Sequence, residues 1–505
     1  MADDTTGEEP SLDADLHLKY WKRCLRSPLP SAYLTNESNR MALSYFILNS
    51  IDMLTPTPST TTATTNPSSS SSRPLITPQD RRSLRDWVLS CQHAGGGFCG
   101  SPTLVVPAYL SEDWDFKTQS SLPERSGLAN IAATVFALQL LALLSSDCPG
   151  DGGVKPEDAY RGVDRVKTLR WLRKLQRPDG SFGEALVHIP GQGEGGWFIG
   201  GGKDMRYCYL ASVIRWILRG DVRGESGDPA RVEDFDTQAL ARYILSSQTY
   251  DGGFAESSMH EPHAGYAYCA ISALSLLDRP LENNSKGYHE SRIVKEGIKD
   301  MPGLVHWLAS RQFIYLEPSG EEAKDEDEDD RVNFYQPPNL AGLTTLDEEE
   351  DAKYVGFNGR CNKVADTCYC WWVGGALANL GREEDLITKD ATRRFLLEKA
   401  QHRIGGFGKH AGSPPDVYHA CFGLAALAIM DGGAQKGMNE FDSSLAVTVN
   451  TVRKIEKARK GLLQRAREEE TQKGSCSKLG KEFINMGLSM YGGAKPAWLT
   501  TAVGE

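Results

Sequence analysis

A unit of helix, glycine-rich turn and second helix recurs along this chain, and it limits the fold more than any other feature does. Each copy begins on an amphipathic stretch with an aromatic residue five positions before a glutamine: Trp87 and Gln92, Trp171 and Gln176, Tyr243 and Gln248, Trp307 and Gln312. One further copy departs from the spacing, with Phe395 followed by Ala400 and then Gln401. Next comes a turn ending in phenylalanine, at Phe98, Phe182, Phe254, Phe357 and Phe407. The second stretch of each copy (127–144, 204–218, 265–277, 367–380 and 416–430) is apolar nearly all round and rich in Ala, Gly, Ser and Cys. A helix without a polar face must be buried on every side. These stretches therefore read as an inner layer, and partners such as VKTLRWLRKLQ as an outer one. Alternating strand patterns hardly occur. The expectation is an all-α fold, an α/α toroid of concentric helices with flexible insertions. An open solenoid would leave the apolar inner helices exposed.

Closure has a consequence for function. Inner helices that all run the same way open their N-termini at one end of the central cavity, where free N–H groups and the helix dipoles suit an anion. Apolar inner walls suit a hydrocarbon. The repeat thus predicts a ligand with an anionic head and a greasy tail before any catalytic residue is considered.

The repeats occupy a toroid domain predicted over 16–430, preceded by a flexible N-terminus at 1–15 and followed by a helical extension at 431–505. Within the domain, 55–75 reads as an insertion: residues 55–72 hold 13 Ser or Thr and no large apolar residue, too little to offset the entropy of ordering. A second insertion, 317–355, is acidic, with 14 acids against Lys324 and Arg331 between 317 and 351. The chain's net charge of −11 therefore belongs to one solvated loop, and the rest is near neutral. No nucleic-acid partner is expected, although the acidity argues against one only weakly because it mainly marks that loop. The stretch 446–470 (AVTVNTVRKIEKARKGLLQRAREEE) reads as an exposed, solvated helix. No apolar run reaches the ~20 residues of a membrane span. The acidic start MADDTTGEEP lacks a signal peptide's pattern, and eleven Cys scattered over a long chain suit reduced thiols in the cytosol or nucleus, with the cytoplasm the expected location.

Ionisable residues gather at the starts of the inner helices. The run GFNGRCNKVADTCYCWW brings Arg360, Lys363, Asp366, Cys368 and Tyr369, and His419 follows in DVYHACFGL. One carboxylate, one thiolate and one imidazole would give Zn²⁺ three protein ligands and an open fourth position, the pattern of a catalytic site. Each residue also has an ordinary structural reading: Asp366 as an N-cap, Cys368 as a small core hydrophobe, His419 as a hydrogen-bonded core histidine. Arg206 and His263 begin two other inner helices, and converging cations there favour a phosphate or diphosphate, although rim salt bridges to Asp204 and Glu261 are an alternative. Lys409 alone reads as a solvated loop lysine.

The runs GRCNKVADTCY and DVYHACFGL resemble the signature segments of protein prenyltransferase β subunits, and the resemblance extends over roughly 16–54, 80–320 and 353–430. It implies an α/α toroid, one Zn²⁺ on Asp366, Cys368 and His419, and a heterodimer with an α-helical α subunit. It implies diphosphate contacts from His263, Arg360, Lys363 and Tyr369, with Arg206 lining the cavity near the peptide. The reaction implied is transfer of an isoprenoid from its diphosphate to the Cys of a C-terminal CaaX sequence, as on Rho-type small GTPases. Two positions resemble the type I geranylgeranyl branch of the family. Lys409 stands where farnesyltransferases carry an Asp that helps bind Mg²⁺, so Mg²⁺ is expected to be dispensable. Ala42 and Phe46 stand where farnesyltransferases carry two Trp at the pocket floor, leaving room for a fourth isoprene unit of geranylgeranyl diphosphate. Trp307 and Trp372 are expected among the walls. Tyr418 is farnesyltransferase-like, which implies looser selection of the last peptide residue. A farnesyltransferase β subunit is the nearest alternative. A terpene cyclase would need an acidic D-x-D-D-type donor, and none occurs within the repeats. A toroid that only binds would hold no zinc.

Overall fold

The structure is a computed structural model describing residues 10–33, 35–55, 75–103, 114–115, 120–121, 127–148, 150–188, 196–219, 231–282, 291–315, 353–430 and 437–490. The Ser/Thr-rich insertion beyond residue 55, most of the acidic insertion, and the segments 1–9 and 491–505 lie outside the described residues.

Twelve helices alternate between two layers. The outer ones are α1 (Ala14–Arg26), α3 (Pro78–Ser90), α5 (Arg165–Lys174), α7 (Thr237–Ser246), α9 (Met301–Ala309) and α11 (Lys389–Arg394). The inner ones are α2 (Arg40–Leu54), α4 (Ile131–Leu143), α6 (Met205–Leu218), α8 (Ala264–Asp278), α10 (Thr367–Asn379) and α12 (Val417–Met430). Inner neighbours touch in the order α2, α4, α6, α8, α10, α12 and back to α2, so the ring is closed. The barrel expected from the repeat is present, with α2 as a sixth inner helix in front of the five apolar stretches.

The glutamine of each repeat is the clasp between neighbouring units. Its backbone pairs with the phenylalanine after the turn (Gln92 with Phe98, Gln176 with Phe182, Gln248 with Phe254, Gln401 with Phe407). Its side-chain amide reaches forward to the start of the next outer helix. Gln176 donates to the carbonyl of Asp236 and accepts from its N–H, both at 2.8 Å. Gln248 does the same with Asp300 at 2.9 Å. Gln92 bridges Gly162 and Asp164, and Gln312 bridges Leu386 and Thr388. The last clasp closes the ring: Gln401 accepts from His17 Nε2 on α1 at 2.9 Å. The extra residue ahead of Gln401 is absorbed as a π-turn over Phe395–Ala400, so the clasp still forms. The turn glycines explain themselves sterically. Gly180 has φ +93° and a Cβ there would lie 2.1 Å from the Ala239 carbonyl oxygen of the next outer helix; side chains are excluded by both backbone and space.

The opposite end of the barrel is plugged. Residues 438–448 run across the C-terminal ends of the inner helices, with an antiparallel pair Phe441–Asp442 and Val447–Thr448. Gln139 of α4 donates to Leu445 O at 2.7 Å, Tyr209 of α6 to Ser444 O at 3.0 Å and Tyr268 of α8 to Ser443 O at 2.7 Å. Tyr45 of α2 donates to Ala446 O, and Asn379 of α10 accepts from both Ser443 and Ser444 hydroxyls. Arg279 and Asp442 form a fully buried ion pair beneath. The ring is thus completed beyond 430, where the sequence reading ended it, because these contacts are long-range and leave no local pattern. The following helix α13 (Val449–Met490) is not simply solvated either: Val452, Ile455, Ala458 and Arg459 are buried against the plugged end.

A candidate zinc and diphosphate site at the open mouth

The inner helices begin at the open end, and α4, α6, α8, α10 and α12 each start on a capping side chain. Asn130, Asp204, His263 and Asp366 accept from the first free backbone N–H groups of α4, α6, α8 and α10. Asp416 does so twice for α12, from Tyr418 N and His419 N at 2.9 Å. The N-cap reading of Asp366 is correct, and its carboxylate is also part of a triad.

Asp366, Cys368 and His419 offer three ligand atoms within 4.8 Å of one another. His419 Nε2 lies 3.3 Å from Asp366 Oδ1. Ligands at 2.0–2.3 Å from a tetrahedral Zn²⁺ stand roughly 3.3–3.8 Å apart, so the donors need close in by only about 1 Å. The donor set is also chemically apt, one sulfur, one imidazole and one carboxylate with room for a fourth partner. The other imidazole nitrogen is fixed, since His419 Nδ1 donates to Asp416 Oδ2 at 2.5 Å. That bond leaves Nε2 facing the triad, as a second carboxylate behind a metal-bound histidine does. Asp416 was missing from the sequence reading; its only signal is its position three residues before His419, which looks like an ordinary cap.

Titration behaviour follows the same contacts. Burial works against charging His419, yet its bonds to Asp366 and Asp416 push its pKa up to about 9. Burial opposes ionising Asp366, but His419 and the Cys368 contacts hold its pKa below the usual carboxylate value. Cys368 is pushed far up by burial and by the neighbouring Asp366 charge. A bound dication would reverse the His419 and Cys368 preferences by holding neutral imidazole and thiolate.

The cationic residues flank this triad. Ala264 N donates to Gly359 O at 2.9 Å, which seats the 358–363 loop beside the start of α8. A Cβ at Gly359 would lie 2.2 Å from the Tyr369 ring, so a side chain there would displace that ring. Burial, then the Arg360 and Arg206 charges, lower the His263 pKa to about 4. Its Nδ1 accepts from Gly265 N at 3.0 Å, so the neutral ring carries its proton on Nε2 and donates to Tyr369 Oη at 3.0 Å. The Tyr369 hydroxyl hydrogen is then free to point into the mouth. Arg360 is half-exposed and bonds Glu261 at 2.9 Å, and Arg206 is held by Asp204; the rim salt bridges exist alongside the cationic cluster. Lys363 is half-buried in the same loop. Lys409 is brought in by its backbone, whose carbonyl accepts from Thr367 N at 2.9 Å, next to Asp366.

Aromatic rings gather inside the barrel below the triad. The Phe46 ring centroid is 5.7 Å from those of Tyr418 and Phe422 and 5.9 Å from that of Phe136. Trp372 packs on Phe422 at 4.9 Å and donates from Nε1 to Tyr418 Oη at 3.2 Å. Ala42 is half-buried one turn nearer the mouth than Phe46. Trp307 belongs elsewhere: it lies on outer helix α9, buried against Gly253 and Pro262 and stacked under Arg311. It is a layer-to-layer anchor, so its place as a cavity wall does not hold.

Comparison with known proteins agrees with this geometry. The model of the prenyltransferase alpha-alpha toroid domain matches residues 12–447. The chain therefore belongs to the prenyltransferase α/α toroid family. It is 27% identical over 432 residues to the geranylgeranyl transferase type-1 subunit beta of Arabidopsis thaliana, covering 83% of this chain and 86% of that one. It is 25% identical to the protein farnesyltransferase subunit beta of Pyricularia oryzae over 438 residues, 83% of this chain and 63% of that longer one. Among solved structures, the Candida albicans protein geranylgeranyltransferase-I complexed with GGPP shares the fold, with TM-score 0.62 and 24% identity over 89% of this chain and 99% of that one. Among the described residues, no helix is long and apolar enough to cross a membrane.

Proposed function

We propose that this chain is the catalytic β subunit of a protein geranylgeranyltransferase type I, working with an α subunit. It would move the geranylgeranyl group from geranylgeranyl diphosphate to the Cys of a C-terminal CaaX sequence, on proteins such as Rho-type small GTPases. The observation that carries this reading is the convergence of Asp366, Cys368 and His419 at the mouth of an apolar, aromatic-lined barrel. The described Cys residues are free thiols, which suits work in the cytoplasm.

Zn²⁺ held by those three residues would bind the acceptor Cys in the open position and keep it as thiolate, the nucleophilic form, near neutral pH. The residues of the chain do the rest. Asp416 holds His419 in the tautomer that presents Nε2. Arg360, Lys363 and Lys409 place positive charge where the leaving diphosphate gains negative charge, and Tyr369, aligned by His263, donates a hydrogen bond there. Burial keeps the Tyr369 hydroxyl protonated by raising its pKa well above the ordinary value. Losing one such oriented donor costs ~10²–10³ in rate at comparable sites. Lys409 supplies in place the charge that Mg²⁺ would bring, so Mg²⁺ is dispensable. Phe46, Trp372, Tyr418 and Phe422 exclude water and hold the tail.

The test is co-expression with an α subunit and assay with farnesyl and geranylgeranyl diphosphates, using peptides ending in Leu, Met or Ser, with EDTA-treated, zinc-reconstituted enzyme. Geranylgeranyl transfer without Mg²⁺ is expected. Preferred farnesyl transfer requiring Mg²⁺ would instead assign the chain to farnesyltransferase, the reading that Tyr418 favours.

A further inference from the structure

The inner helices are largely buried, and α2 and α4 each carry a pair of half-exposed residues one turn apart near the open end. On α4 only Ala132 and Phe136 are not fully buried, one turn apart on one face. On α2, where Leu43, Ser44 and Asp52 are also half-exposed, the matching pair one turn apart is Ala42 and Phe46. In both helices the residue nearer the mouth is the smallest side chain available, and the residue below it is a phenyl ring. The two rings meet at 5.9 Å. Phe136 also stacks on Tyr45 at 4.8 Å and 30°, and Tyr45 is tied by its hydroxyl to Ala446 of the plug. The Phe136 ring is therefore seated on a fixed support and cannot sink further.

Position in the ring adds direction. Counting either way around the closed order of inner helices, α4 is the third neighbour of α10 and lies across the barrel from it. Helix α10 carries Cys368 and Tyr369, where the reacting carbon and the diphosphate are placed under the proposed function. With neighbouring helices packed about 8–10 Å apart, the axes of opposite helices in a six-membered ring stand roughly 16–20 Å apart. A tail that starts at α10 and runs across the barrel ends at α4, beside the small, half-exposed side chains of Ala42 and Ala132.

We propose that Phe136 selects isoprenoid length, its ring forming with Phe46 the end wall of the tail cavity opposite the ligand triad. This rests on the prenyl-transfer reading above, and it assigns a substrate contact to a residue that neither the sequence motifs nor the zinc site point to. Replacing the ring by a methyl group frees space comparable to one isoprene unit, whereas a larger ring takes space away. Size discrimination in apolar pockets is worth roughly 10–200-fold per small group.

The experiment measures equilibrium binding of diphosphates with three, four and five isoprene units to the heterodimer, and their kcat/KM with one CaaX peptide. The set is wild type, Phe136→Ala, Phe136→Leu and Phe136→Trp. Phe136→Ala is expected to shift the preference between five and four units at least about 10-fold towards five, Phe136→Leu to do so less, and Phe136→Trp to favour three. Peptide KM is expected to stay within about twofold, since a length selector touches only the tail. Variants that bind four units as wild type does, with an unchanged length ranking, overturn the assignment while leaving the proposed function intact. Wild type that binds none of the three overturns both. The Leu and Trp variants keep an apolar group on Tyr45, so the test stands if the Ala variant does not fold.

Discussion

Asp416→Asn separates the metal-orienting role of Asp416 from its capping role. The carboxylate makes both contacts at once: Oδ1 accepts from Tyr418 N and His419 N, and Oδ2 accepts from His419 Nδ1 at 2.5 Å. Asn retains Oδ1 and is as good an N-cap as Asp, so helix α12 should keep its start. The amide nitrogen in the other position is a donor facing a donor. His419 then gains nothing from carrying its proton on Nδ1, and the tautomer with Nε2–H, which cannot ligate, is favoured. Loss of such a supporting carboxylate costs 10–100-fold in metal affinity, about 1.4–2.7 kcal/mol. The assay is zinc competition against a chromophoric chelator, run beside thermal unfolding of the metal-free protein at a pH above 9, where His419 is neutral and its charge pairing with Asp416 no longer contributes. A 10–100-fold weaker zinc Kd with a stability change under about 1 kcal/mol is the expected result. Unchanged zinc affinity would refute the orienting role, and a stability loss that accounts for the affinity loss would reduce Asp416 to a cap.

Other expectations follow from the same site. Cys368→Ala should abolish turnover while leaving isoprenoid diphosphate binding largely intact, read by steady-state rates and by equilibrium binding; equal loss of both would contradict its assignment as a ligand. Lys409→Asp should make the rate depend on Mg²⁺, and Ala42→Trp should move preference towards farnesyl diphosphate, both read in the two-diphosphate assay. The pH dependences of the metal-free and zinc-loaded forms should have opposite signs. His419 has a folded pKa of about 9 against 6.5 unfolded, so its stabilising contribution is complete below pH 6.5 and is lost as pH rises through 9. The 2.5-unit gap corresponds to at most about 3 kcal/mol. Zinc affinity should rise over that same window, because His419 and Cys368 must shed protons to bind. Denaturant unfolding with and without zinc at pH 6 and pH 9 reads both.

What could be read in the sequence was what repeats or what depends on neighbours in the chain. The glutamine and phenylalanine spacing announced the helix pairs, and the apolar stretches announced the inner ring, because each copy solves the same packing problem. Asp366 and Cys368 were legible as a pair at a helix start, and His419 through its motif. The features that were missed depend on distant partners. Ser443 and Ser444 look like loop residues until Asn379, Tyr209 and Tyr268 are seen to close over them. From sequence Trp307 reads as a cavity wall, since an aromatic residue's type does not say which layer it packs between. The His17–Gln401 clasp joins residues at opposite ends of the toroid, and a linear pattern cannot show where a ring closes.

The central claim is that the acceptor thiol is taken up by a zinc ion on Asp366, Cys368 and His419. Zinc-edge X-ray absorption on the zinc-loaded heterodimer, with and without a CaaX peptide, tests it most directly. One sulfur in the coordination sphere without peptide and two with it is the predicted result, with the first lost in Cys368→Ala. A sphere holding no sulfur, or one unchanged by the peptide, would contradict the account.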